Sequence, residues 1–131
     1  MNPKYVFISS PYTHGSQAAN VREQHDAFNI LLDLLGHHPF APLFSHYHEV
    51  VYPTNYEAWL RWDLAWVEKC DCVLRLPGKS DGADRECMHA LNNNIEVIST
   101  KNTFKYLLLP GLKELSTTEF QNLKCFMECL E

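Results

Sequence analysis

Apolar residues fall at two spacings along this chain, and the two spacings alternate. Lys4 to Ser9 (KYVFIS) is a short run of β-branched and aromatic residues, the pattern of a buried strand. From Ala18 to Leu35, Val21, Phe28, Leu31, Leu32 and Leu35 fall on one side, with Arg22, Glu23, Asp26 and Asp33 opposite. That predicts a long amphipathic helix, closed by Gly36, which is free to turn left-handed. His37 to Pro42 predicts a short second strand or extended segment. Leu43 to Pro53 (LFSHYHEVVYP) has neither period and predicts a mobile loop, with Tyr47, His46 and His48 lining a pocket.

The second half repeats the alternation. Asn55 to Lys69 predicts a helix in which Trp59, Trp62 and Trp66 form one aromatic stripe, a core face or an oligomer face. Asp71 to Leu76 predicts a strand. It breaks at Pro77-Gly78, passes through a short polar loop, and resumes as a helix from Gly82 to Leu91. Ile95 to Ser99 predicts a fourth strand. The stretch 100–111 is irregular. Ser116-x-x-Glu119 is a capping box opening a last helix to about Leu130, with Leu123, Phe126, Met127 and Leu130 as its buried face.

Strands alternating with helices predict an α/β fold of three layers. The sheet is mostly parallel, has four to five strands, and is flanked by helices in a Rossmann-like or flavodoxin-like arrangement. At 131 residues, with no repeats or linkers, the chain reads as a single domain over 1–131.

Composition narrows the partners. Hydrophobic residues make up 46% and charged residues 21%, the globular range. The formal charge is −5 and no short window concentrates Lys or Arg, which argues against a nucleic acid but not against a small nucleotide. No stretch has the length of a membrane span and the N-terminus carries no export signal. The five cysteines (70, 72, 87, 125 and 129) are odd in number, so a disulfide framework is not expected and the expected compartment is the cytoplasm. His46-x-His48-Glu49 fits no standard zinc spacing, so neither metal nor cofactor is expected.

The candidate chemistry gathers after two strands. In open α/β sheets, ligands sit beyond the carboxyl ends of the strands. After the first strand, Ser9-Ser10-Pro11-Tyr12-Thr13-His14-Gly15-Ser16 offers hydroxyls suited to sugar or phosphate oxygens, or an ordinary loop capped by Ser16. After the third, Glu86 lies about one turn into a helix, where it is expected to stay ionised. There it can attack an electron-poor carbon or simply complement the helix dipole. Asp63, beside the Trp stripe, is expected to have a raised pKa and is the candidate acid, with a solvated face as the plain alternative.

FISSPYT, WDLAWVEKCDCVLRLPG and SDGADRECMHA, in that order and spacing, resemble the nucleoside 2-deoxyribosyltransferase-like superfamily. The similarity covers about residues 4–99. The resemblance implies Glu86 as nucleophile and Asp63, in an Asp-Leu pair, as the residue that positions the sugar and manages the base's proton. It implies sugar contacts from Phe7, Ser9 and Tyr12. Many members carry a Tyr on the first strand where this chain has Phe7, so that hydroxyl is missing unless Tyr12 supplies it. Six residues before the glutamate the deoxyribosyltransferases usually carry an acid, whereas the related nucleotide N-hydrolases use Ser on a 5′-phosphate. Here the residue is Ser80, which with Gly78 and Gly82 is expected to hold phosphate or, more simply, to cap the helix. The implied reaction is cleavage or transfer at the N-glycosidic bond of a nucleoside or nucleoside 5′-monophosphate, through a glycosyl-enzyme on Glu86. A non-catalytic nucleotide-binding module of the same fold is the alternative. The family also implies a homo-oligomer.

Overall fold

The computed structural model describes residues 3–99. The irregular stretch 100–111 and the capped helix expected beyond it, with Cys125 and Cys129, lie outside the described residues. Four strands, β1 (Tyr5–Ser9), β2 (His38–Phe40), β3 (Cys72–Arg75) and β4 (Glu96–Ser99), form one sheet in the order β2-β1-β3-β4. Every pairing is parallel, with Val6 opposite Cys72, Phe7 opposite Val73 and Cys72 opposite Glu96. The fold is therefore α/β with an all-parallel sheet.

Both faces of the sheet are covered, so β1 and β3 are apolar at successive positions. Side chains alternate sides along a strand. Val6 and Ile8, with Cys72 and Leu74, face a core completed by Ala27, Ile30, Leu31 and Leu35 of the first helix. Phe7 and Val73 face the other core, with Val67 and Ala90 from the helices that flank β3 and Cys70 from the turn that leads into it. Burial lifts the Cys70 thiol to about 11 and that of Cys72 to about 12, so both stay protonated packing groups.

The helices are α1 (Gln17–Asn29), α2 (His46–Val51), α3 (Tyr56–Val67) and α4 (Asp81–Asn92). Ser16 caps α1 by accepting from Ala19 N–H (3.2 Å), and Asn55 caps α3 by accepting from Ala58 N–H (2.8 Å). α1 does not run straight to Leu35. Ile30–Leu34 is a π turn, in which Leu35 N–H donates to Ile30 O (3.0 Å). The wider turn lets Ile30, Leu31 and Leu35 all face the sheet while Leu32 stays exposed. Gly36 ends the helix at φ +70°.

The segment expected to be a mobile loop over Leu43 to Pro53 is instead mostly helical. Pro42 opens a 3-10 turn to Ser45, and α2 follows directly. Pro at the first helical position has no N–H to lose there, which accounts for a helical start that apolar period alone does not reveal.

Candidate active site

A strand order of 2-1-3-4 has its switch point between β1 and β3. The chain leaves these neighbours toward opposite edges of the sheet, so a crevice opens beyond their carboxyl ends. A cavity of about 580 Å³ is built from the segments that follow them. Ser10, Tyr12, Thr13 and His14 come from the loop after β1, and Ser80 to Ala83, Arg85 and Glu86 from the start of α4. Glu49, Thr54, Tyr56, Trp59, Leu60 and Asp63, from α2, the following loop and α3, complete much of the remaining wall.

Asp63 and Glu86, from different helices, meet at this wall and share a hydrogen bond. Glu86 is only 5% exposed. The buried Ser9 at the end of β1 donates to Glu86 Oε1 (2.7 Å). Phe7, expected at the sugar, is instead fully buried in the core on the α3 and α4 side of the sheet, outside the cavity lining. Ser9 lies two residues further along β1, on the same face. Ser9 places its hydroxyl on the Glu86 carboxylate, whereas Tyr12 hydrogen-bonds His46. Ser9 is likewise absent from the cavity lining, so it reaches the site through Glu86.

Burial, then the charge of Asp63 and the hydrogen bond to it, push the Glu86 carboxyl well above the usual range, against the lowering pull of Ser9 and Arg75. This corrects the expectation of a carboxylate that is simply ionised at neutral pH. A position one turn into a helix favours the anion, but the site is dry and a second carboxyl touches it. Burial also lifts Asp63, to about 6. The two are coupled, so their protons leave in steps that belong to the pair rather than to either residue.

Ser80 caps α4, its Oγ accepting from Ala83 N–H (3.1 Å), and also lines the cavity. Gly82 lines it too, 3.3 Å separating a Cβ built there from the Tyr56 hydroxyl. Gly78 stands outside the lining. It holds φ +118°, a Cβ added to it would meet Pro11 Cγ at 2.7 Å, and its carbonyl accepts from Arg75 (2.8 Å). Its place is in closing the β3–α4 loop, which Arg75 also ties to Asp84 (3.2 Å).

Several lining residues carried no sequence signal of their own. Glu49 Oε2 accepts from Trp59 Nε1–H and from Thr54 N–H (3.0 Å), which pins the end of α2 to the start of α3. The Trp59 hydrogen bond, then that from Thr54, holds the Glu49 carboxyl below its ordinary range. Tyr12 hydrogen-bonds His46 Nδ1, and burial followed by the Glu49 charge raises the phenol. Arg85 lines the cavity, pairs with Glu57 (3.1 Å) and lies 6.0 Å above the Tyr56 ring. The Trp stripe divides: Trp59 faces the cavity, whereas Trp66 stacks on Phe40 (4.9 Å) and Trp62 tilts against it (5.5 Å). Trp62 and Trp66 stay 38% and 42% exposed.

Among the described residues no cluster of three or more His, Cys, Asp or Glu could hold a metal ion, and no helix is long and apolar enough to cross a membrane. No protein-family model matches the chain, and neither a curated protein nor a solved structure matches it.

Proposed function

We propose that the protein cleaves or transfers the N-glycosidic bond of a nucleoside or nucleoside 5′-monophosphate, as a member of the nucleoside 2-deoxyribosyltransferase-like superfamily. The observation that carries the reading is the hydrogen-bonded pair of Asp63 and Glu86 at the wall of the switch-point cavity. Breaking the bond between sugar and base builds positive charge at the anomeric carbon. One carboxylate can trap that carbon covalently while a second acid protonates the departing base. A pair with one proton between them holds both forms at once.

Glu86 is the nucleophile and Asp63 the acid. Ser9 favours the division, because its hydroxyl donates to Glu86 and stabilises that residue's anion. In retaining glycosidases the two carboxyls stand ~5 Å apart, farther than a hydrogen-bonded pair. A sugar entering between them therefore separates the two, leaves the proton on Asp63, and frees Glu86 to attack. The anomeric carbon then bonds to Glu86, the base leaves with the Asp63 proton, and Asp63 as base activates water or a second base to release the sugar.

The test is incubation with a panel of nucleosides and 5′-monophosphates, with free base measured by chromatography. Wild type is expected to release base from at least one member of the panel. Glu86→Ala is expected to be slower by about three orders of magnitude or more. Equal rates for the two proteins would end the reading. Binding that raises the melting temperature with no base released would support the non-catalytic module in its place.

A further inference from the structure

The charge on the cavity wall bears on a choice that the proposed reaction leaves open. Glu49, Asp81 and the Asp63–Glu86 pair all line the cavity. Among the described residues Arg85 is the one Lys or Arg in that lining, and its guanidinium is already paired with Glu57. Ser80 Oγ has accepted one of the first-turn N–H groups of α4, and Asp81 adds a carboxylate to the same turn, Asp84 being paired with Arg75. An anion placed there meets more negative charge than positive.

Glu49 is the carboxylate whose position is best defined apart from the pair. Trp59 Nε1–H and Thr54 N–H both donate to Oε2, and the residue lines the cavity. Trp59 and Asp63 are four residues apart on α3, about 6 Å along the helix axis, and therefore share a face. Glu49, held on the Trp59 indole, thus lines the same cavity as the acid pair, beside the α3 face that carries Asp63.

Resting on the N-glycosidase reading, we propose that the cavity takes the uncharged nucleoside in preference to its 5′-monophosphate, and that Glu49 is the residue that discriminates. Its carboxylate accepts a hydroxyl or amino proton from the nucleoside. A phosphate dianion offers no such proton and is repelled by the same carboxylate.

The experiment measures dissociation constants by calorimetry for nucleosides and matching 5′-monophosphates, in protein carrying Glu86→Gln. That change removes the nucleophile and leaves Asp63 as the pair's one ionisable carboxyl. For whichever base binds, the nucleoside is expected to bind about tenfold tighter or more at low salt, the size expected of an opposing charge a few ångströms away near a protein surface. Adding Glu49→Gln, which keeps an acceptor for Trp59, is expected to narrow the gap at least threefold, and 0.5 M salt to narrow it as well. Equal or tighter binding of the monophosphate would overturn the proposal, as would a gap insensitive to Glu49→Gln. If wild type still releases base under either result, the N-glycosidase reading survives. If neither class binds and no base is released, both fall together.

Discussion

Ser9 and Asp63 act on Glu86 from opposite directions, one stabilising its anion and the other opposing it. Ser9→Ala removes a charge-assisted hydrogen bond and leaves Glu86 buried. The expected result is a fall in kcat of about tenfold to a hundredfold with little change in KM, and a move of the alkaline limb of the pH profile, set by the proton that Glu86 holds more tightly, to higher pH. A steady-state profile of the variant against wild type measures both. In wild type the profile of kcat/KM is expected to be a bell. It falls on the acid side near 6, where Asp63 takes up the pair's second proton, and on the alkaline side as the last proton leaves the pair. The same pair costs stability. The folded value of Asp63, about 6, lies above its ordinary 3.8, so the folded state holds its proton more tightly. Its contribution favours folding below about pH 4 and is lost as pH rises through about 6. Asp63→Asn is therefore expected to raise stability by about 1–2 kcal/mol at pH 7 to 8, with the gain vanishing near pH 4. Urea unfolding of both proteins across that range checks the sign. A gain largest in acid would contradict it.

Among the elements, the strands were the most legible in the sequence. β1 and β3 are buried on both faces, and KYVFIS and CVLRL announce that directly. α3 and α4 were legible through Asn55 and Ser80, which cap them, and through the periods that follow. α2 was not, because its six residues hold too little apolar period to show, and none is buried. Glu49 lay hidden with it, since its partners Thr54 and Trp59 come from other segments. The π turn after Asn29 was illegible for a different reason: adjacent Leu31 and Leu32 fit a regular helix equally well. Gly78 shows what the β3–α4 loop demands. Gly78→Ala combines positive φ with a contact of 2.7 Å to a proline ring, so it is expected to destabilise the fold by about 2–3 kcal/mol. Gly15→Ala, at φ +77° with nothing within 4 Å, is expected to cost about 1 kcal/mol. Thermal melts of the two variants side by side separate backbone strain from steric contact.

At the scale of the molecule, the parallel sheet explains why distant residues meet. Reversing the direction of winding at β1 and β3 sends the chain to both edges, and the loops left between them frame a cavity. Asp63 and Glu86 could be picked out beforehand because each sits at a fixed place relative to a legible helix. Phe7 was drawn to the sugar only by the superfamily resemblance, and the side alternation of β1 puts it in the core beneath the site instead. The central claim is that the side chain of Glu86 becomes bonded to sugar during turnover. Its most direct test is the intact mass of protein quenched in acid while releasing base from its best substrate, followed by peptide mapping. The expected result is a mass gain of one dehydrated sugar on the peptide containing Glu86, absent from Glu86→Ala. Base release that continues at the wild-type rate in Glu86→Ala, with no adduct on that peptide in either protein, would contradict the account.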